Sequence, residues 1–372
     1  MRYPRFAHVE ISLDAIAHNV RTLKARTSAG TRFMAVVKAD GYGHGAVPVA
    51  RTCLGAGADR LGVATVQEAV TLREAGIVTP IQLLSEPPVS SVPLLMEHDL
   101  IPTVTTREFA VALGTQAAAV GRVMPYHLKV DTGMNRIGVR AEDAVEFARG
   151  LLDFPGLVLE GTFTHFATAD VPGDWDFEGQ VRRFSSAIEQ MRTDRIDPGI
   201  VHSANSAATI LHSEVHGDMV RCGIAIYGLH PDAATYGAVD LRPAMAVKAR
   251  ASFVKRISMG EGVSYGLTWR AAGSAQIVTL PLGYADGVHR VLSNAMRVLV
   301  GGVSCQQVGR VCMDQFMVEA PRDLRVSVGD EVLLVGSQGD ESIIMDELAS
   351  AAGTINYEMA CAFGMRLERV YL

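Results

Sequence analysis

The sequence predicts an α/β chain: a (β/α)8 TIM-type barrel over residues 9–238, followed by a mostly β C-terminal domain over 239–372, to which residues 1–8 are a candidate addition. Three observations carry this. From about residue 9 to 238, short apolar runs of β type alternate with longer stretches of helical periodicity, the pattern of repeated βα units. After His230-Pro231-Asp232 the texture changes to short β-rich runs punctuated by Gly, Asp and Pro. No GxGxxG follows the first strand, which places the open doubly wound sheet behind the barrel.

The barrel strands fall at 33–37, 61–64, 81–84, 101–104, 126–130, 159–164, 200–202 and 220–226. Helical periodicity lies between them at 12–26, 65–75, 106–118, 141–152 and 177–192. Repeated units of this number fit a closed barrel, whose catalytic residues stand at the carboxyl ends of the strands. Tyr236-Gly237-Ala238 reads as the linker. Beyond Leu241 the strands fall at 245–252, 276–280, 297–300, 307–311 and 331–335, and helical periodicity is scarce until 345–352.

With 34 Lys+Arg against 40 Asp+Glu, a net charge of −6, the chain lacks the basic bias of a nucleic-acid binder. At 48% hydrophobic and 20% charged residues it is no disordered polyelectrolyte. Every apolar run is cut short of a membrane span, so no membrane partner is expected. Cys53, Cys222, Cys305, Cys312 and Cys361 are odd in number, scattered and without a CxxC pair. Neither a disulfide framework nor a zinc site is suggested, no metal is expected, and a reduced, cytoplasmic setting follows. The first residues hold no long apolar core ending in a small-residue cleavage site and are expected to be mature sequence.

The most informative stretch is Ala35-Val36-Val37-Lys38-Ala39-Asp40-Gly41-Tyr42-Gly43-His44-Gly45, an apolar strand ending in a lysine and a glycine-rich turn. Burial at a barrel mouth lowers a lysine's pKa and frees its amine for a Schiff base. On spacing alone, a surface lysine at a strand end is the preferred reading, and the glycines need only make a turn.

The whole string, however, resembles the cofactor-lysine motif of the alanine racemase family, pyridoxal-phosphate enzymes of the barrel-containing fold type. Further segments agree in order along nearly the full length: Lys129-Val130-Asp131-Thr132-Gly133-Met134-Asn135-Arg136-Ile137-Gly138, Thr164-His165-Phe166, His202-Ser203-Ala204-Asn205-Ser206-Ala207 and Val220-Arg221-Cys222-Gly223 with Tyr227-Gly228. They continue with Val263-Ser264-Tyr265-Gly266, Gly283-Tyr284-Ala285-Asp286-Gly287, Val308-Gly309-Arg310-Val311-Cys312-Met313-Asp314 and Ile355-Asn356-Tyr357-Glu358. The sequence departs from the family pattern at Gly41, where Ala is usual, and at Cys222 and Glu368, where Pro is common.

The resemblance implies a cytoplasmic homodimer with shared active sites that interconverts L- and D-alanine with pyridoxal 5'-phosphate, supplying D-alanine for cell-wall peptidoglycan. It implies Lys38 and Tyr265 as bases on opposite faces of the substrate, with His165 in the network around the phenol. A phenol is a weak base at neutral pH and needs cationic or hydrogen-bonding neighbours. Standing alone, Tyr265 would read as a packed aromatic. Arg221 is implied at the cofactor's ring nitrogen, where many such enzymes place a carboxylate. By itself an arginine there is more often an ion-pair partner. Tyr42, Asn205, Ser206, Gly223, Ile224 and Tyr357 are the other implied cofactor positions, although Ser206 alone would read as a helix cap. Arg136 and the Met313 N–H are implied for the substrate carboxylate. Lys129 is implied as a carbamate, the alternative being an unmodified lysine paired with an acid. Asp170, Tyr284, Arg290 and Arg310 are implied at the entrance. A broad-specificity racemase of the same fold is the nearest rival, and a non-catalytic pyridoxal-phosphate carrier the rival from another class.

Overall fold

The computed structural model describes residues 5–171, 173 and 175–372. The chain divides into two compact units, one of Ala15–Gly41 and Ala46–Arg242, the other of residues 5–14, Tyr42–Gly45 and Pro243–Leu372.

The first unit is a barrel of eight parallel strands. Met219–Cys222, Arg32–Val36, Arg60–Val63 and Ile81–Leu83 pair in one arc. Thr103–Val104, Met124–Asp131, Leu157–Phe163 and Ile200–His202 pair in the other. A parallel bridge between Gln82 and Ile101 joins the arcs at one seam. At the other, Arg221 N–H donates to Ala204 O at 3.0 Å and Asp218 N–H to Val201 O at 2.9 Å. The registers Met34 with Arg60, Val36 with Gly62 and Gly62 with Gln82 put these residues on one face, and by the strand period of two Lys38 continues it. Arg60 reaches across to Glu160, so that face is the barrel interior.

Local signals end the elements. Thr65 caps helix Val66–Glu74 in a reciprocal capping box with Glu68. The apolar run 220–226 does not continue as one strand: the strand stops at Cys222 and a 3-10 turn follows over Ile224–Tyr227, closed by Gly228 at φ +78°. A fully buried apolar run has no polar face to give it a period, so the pattern could not separate the two.

The second unit is built on a ten-stranded sheet. Its order is Phe253–Ile257, Ala275–Leu280, Phe316–Ala320, Val303–Val308, Arg297–Val300, Glu331–Gln338, Met245–Arg250, Ala7–Ile11 and Glu368–Tyr371, with Glu341–Ile343 paired to Glu331–Gln338. Ala7–Ile11 lies antiparallel to Met245–Arg250 and parallel to Glu368–Tyr371. The run expected at 307–311 begins earlier and ends at Val308, because Gly309 turns the chain at φ +75°. Helix Met345–Ala352 is followed by Asn356–Ala362, which the periodicity did not announce. Among the described residues, no helix is long and apolar enough to cross a membrane.

Candidate active site

Lys38 leaves its strand on a turn with unusual backbone. Ala39, Asp40 and Gly41 take φ of 51°, 52° and 62°, a left-handed turn in which only the third residue is glycine. Such a turn costs energy and persists only if its surroundings hold it. Glu68 accepts from Ala39 N–H at 2.8 Å, Asp40 accepts from Ala46 N–H at 2.7 Å, and Gly41 N–H donates to Val37 O at 2.9 Å. Glu68 thus caps its own helix and pins the residue after Lys38; the Thr65-x-x-Glu68 spacing was the available signal for it.

The carboxyl end of the barrel gathers positive charge. Burial and the cations Arg136 and Arg221 lower Lys129 to about 7, with Asp131 opposing and Lys38 adding to the shift. Burial and then Arg221, Lys129, Arg136 and Lys38 push His165 well below the ordinary imidazole value. These five side chains therefore share one electrostatic field. Arg221 is only 3% exposed, and burial lowers it to about 9, still a cation at neutral pH. Its Nη2 donates to Thr164 O at 2.7 Å, Ser203 O at 2.9 Å and His165 Nδ1 at 3.3 Å, and its Nη1 to His202 Nδ1 at 3.0 Å. Phe163 lies against both Arg221 and Lys129, 5.3 and 5.5 Å from ring centroid to cation. Arg136 is exposed on the loop that Asp131 organises by accepting from Gly133 and Asn135 N–H at 3.0 and 3.1 Å.

Beside this cluster, Ser206 Oγ accepts from Gly223 N–H at 3.0 Å and Ala225 N–H at 3.5 Å, which sets a hydroxyl against the turn that contains Ile224. Asn205, not Ser206, caps helix Ser206–Leu211, its side chain accepting from Ala208 N–H at 3.0 Å. Asp170 also belongs to this unit, in the turn closed by Val171 N–H to Thr168 O at 3.1 Å.

The remaining sequence-derived residues belong to the β unit. Tyr265 is 70% exposed and Met313 53% exposed. With Ser264, Cys312, Asp314 and Gln315 they line an open pocket of about 480 Å3. The reading of Tyr265 as a packed aromatic does not hold, since its ring stands out from the surface. Ser264 is left-handed at φ +65°, and its Oγ donates to Arg310 O at 2.6 Å. A Cβ on Gly309 would lie 2.5 Å from Val263 O, so glycine lets the turn after strand Val303–Val308 press against the Tyr265 loop.

The Gly283–Ala285 loop is tied to the Met313 segment in the same way. Tyr284 and Ala285 N–H donate to Cys312 and Met313 O, each at 3.0 Å, and a Cβ on Gly283 would meet Met313 O at 2.2 Å. The fully buried Asp286 accepts from Arg5 at 2.6 and 2.8 Å and from Gly283 N–H at 3.0 Å. Arg366 lies 3.4 Å from Asp286 and donates to Asp314 at 2.8 Å. Arg290 heads the short 3-10 turn Arg290–Leu292, while Tyr42 and Tyr357 stand with ring centroids 6.2 Å apart.

Two family patterns match the chain: "Alanine racemase, N-terminal domain" over residues 11–231 and "Alanine racemase, C-terminal domain" over 244–371. The chain belongs to the alanine racemase family. It is 46% identical over 362 residues to the alanine racemase of Symbiobacterium thermophilum, covering 97% of this chain and 96% of that protein. It is 43% identical over 370 residues to that of Desulfovibrio desulfuricans, covering 100% and 99%. Among solved structures, the alanine racemase of Bacillus anthracis with bound L-Ala-P superposes with a TM-score of 0.94 at 38% identity, covering 100% of this chain and 96% of that one. That of E. faecalis superposes with a TM-score of 0.93 at 40% identity, covering 99% and 98%. The chain is therefore an enzyme of a racemase family generally dependent on pyridoxal phosphate, with a TIM-type barrel followed by a mostly β domain.

Proposed function

We propose that the chain interconverts L-alanine and D-alanine with pyridoxal 5'-phosphate, Lys38 and Tyr265 carrying protons on opposite faces of the substrate Cα, and that the D-alanine serves bacterial cell-wall peptidoglycan. The observation that carries this reading is Arg221. It is a buried cation at the carboxyl end of the barrel, within the field of Lys38, and it ion-pairs with no carboxylate among the described residues. The donor set suits the cofactor: an amine at a strand end, a guanidinium that can only donate, and a hydroxyl and backbone amides at Ser206, Gly223 and Ile224 for a phosphate. Tyr42 and Tyr357 supply further phenol donors.

When bound, pyridoxal phosphate supplies a ring that withdraws electrons from the substrate Cα. The chain's residues do the rest. Arg221 offers N–H and no proton acceptor, so a ring nitrogen placed against it would stay unprotonated, which would restrain transamination. Lys38 takes or returns the Cα proton on one face and Tyr265 on the other. His165, kept neutral by burial and by Arg221, accepts from Arg221 at Nδ1 and has Nε2–H left to orient the phenol. Arg136 and the Met313 N–H bind the substrate carboxylate. Lys129, near 7, is partly neutral at physiological pH, so its amine can attack carbon dioxide, forming an N–C bond and losing a proton to solvent. The resulting carbamate places an anion beside Arg136.

Tyr265, Met313 and Asp314 would come from the β domain of a second copy, giving a homodimer with two equivalent composite sites. Asp170, Tyr284, Arg290 and Arg310 would narrow the entrance. Cys53, Cys222, Cys305 and Cys312 are free thiols, which suits a cytoplasmic setting.

The test is conversion of L-alanine followed by circular dichroism with added cofactor, run beside serine and lysine. Alanine should dominate, and comparable rates for lysine would overturn the narrow specificity. Reassociating inactive Lys38→Ala and Tyr265→Phe chains tests the shared site. Half the dimers are then mixed with one intact site, so about a quarter of wild-type activity should return. No recovery despite proven subunit exchange would refute it.

A further inference from the structure

Below Arg221 the barrel interior holds a continuous line of polar side chains that the reaction above does not use. Arg221 Nη1 donates to His202 Nδ1 at 3.0 Å. His202 Nε2 lies 2.8 Å from His127 Nδ1, and His127 Nε2 lies 3.0 Å from Glu160 Oε2. Glu160 also accepts both arms of Arg60, at 2.9 and 2.7 Å. His127 and His202 are fully buried, while the Glu160 side chain remains 27% exposed.

Chemistry allows this line only one polarity. A guanidinium cannot accept, so His202 Nδ1 must be bare and the proton of the neutral ring sits on Nε2. That proton points at His127, whose Nδ1 must then be bare and whose Nε2–H points at the carboxylate. Both rings are neutral: burial, then Arg221, His127 and Arg60, lowers His202. For His127, burial lowers and Glu160 raises the value, with Arg60 and Arg221 lowering it again. Burial pushes Glu160 up, but Arg60 and His127 more than offset it and hold the carboxylate at about 2. The backbone makes room for the line. A Cβ on Gly161 would lie 2.5 Å from His127 Cε1, and Phe163 stacks on His202 at 4.8 Å.

We propose that His202, His127, Glu160 and Arg60 are positioning residues that hold the Arg221 guanidinium charged and in place as the donor toward the cofactor's ring nitrogen. The acceptor that other enzymes of this cofactor place on the ring is here set three hydrogen bonds away, where Arg60 neutralises it. The inference rests on the cofactor reading given above. Arg221 and Glu160 fix the polarity from the two ends, since one can only donate and the other only accept. An amide in place of Glu160 can also turn its N–H toward His127, which admits the reversed tautomers, and these set His202 Nδ1–H against the Arg221 N–H.

The test uses the full-length chain labelled with 15N-histidine. Without cofactor, His127 and His202 should each show a protonated Nε2 and a bare Nδ1, unchanged from pH 6 to 9. A protonated Nδ1 on either ring, or titration near the ordinary imidazole value, overturns the line with no variant needed. In the cofactor-loaded protein, Glu160→Gln should shift the pH at which the visible cofactor band changes. It should also lower kcat at least about tenfold, the scale of outer-shell partners at other buried sites, with KM for alanine nearly unchanged. An unchanged band and kcat beside the expected tautomers would reduce the line to a structural brace and refute the proposal. A wild-type chain that shows no visible band with pyridoxal phosphate would overturn the cofactor reading itself, and the tautomer spectra would tell that failure from a failure of the line.

Discussion

The barrel end and the Tyr265 face are organised in opposite ways. Around Arg221, side chains are buried, hydrogen-bonded and shifted in pKa by burial and by one another. Around Tyr265, side chains are exposed, and order comes from backbone: left-handed residues and glycines that let loops touch at carbonyl distance. The barrel end is tuned by its own unit. The Tyr265 face is a display of exposed groups held by contacts between backbone segments.

The largest effect should come from breaking the tuned side. Lys38→Ala should lower kcat/KM by at least about 10^4-fold and abolish the pyridoxyl label fixed by borohydride, read by peptide mapping. A label on another lysine would reassign the amine. Breaking the displayed side should be milder. Tyr265→Phe should cost about 10^2 to 10^4-fold in both directions while cofactor stays bound, and Cα–H exchange should survive better for D-alanine. Equal loss of exchange for both enantiomers would argue against two bases.

The sequence made the first region far more legible than the second. Lys38 and His165 stand just after strand ends that alternation locates within a residue, while Arg221 stands beside a strand end at Cys222 that the apolar run placed at 226. The line through His127 and Glu160 was hidden, because those residues are 33 positions apart on two strands and only the pairing of Met124–Asp131 with Leu157–Phe163 makes them neighbours. In the β unit, the strand Ala7–Ile11 pairs only with segments remote in sequence, and Gly309 cut a run that looked continuous.

Two smaller effects sharpen the contrast. Gly283→Ala should destabilise the chain by about 1–3 kcal/mol, read from the urea midpoint, because the added methyl must displace the Met313 carbonyl. It should also raise KM for alanine through the shifted Met313 N–H. On the buried side, Glu160 is held at about 2, so its contribution is fully present above roughly pH 4 and fades as pH falls toward 2. The lowered His127 and His202 act in the same direction, beginning near pH 6.5, since the unfolded chain binds protons first. Thermal midpoints should therefore fall with acidification, and the Glu160→Gln chain should show a flatter decline between pH 4 and 2.

The neighbours of Ala7–Ile11 carry a consequence for synthesis. Its two partners are Met245–Arg250 and Glu368–Tyr371, so it pairs with segments translated well after it. At roughly 5–20 residues per second, the nascent strand waits on the order of tens of seconds for its second neighbour, with both hydrogen-bonding edges open. The barrel strands are all made meanwhile, whereas the sheet can be completed only once Glu368–Tyr371 has been made. Shielding of that early strand by chaperones, more than the closure of the barrel, would then limit the yield of native enzyme.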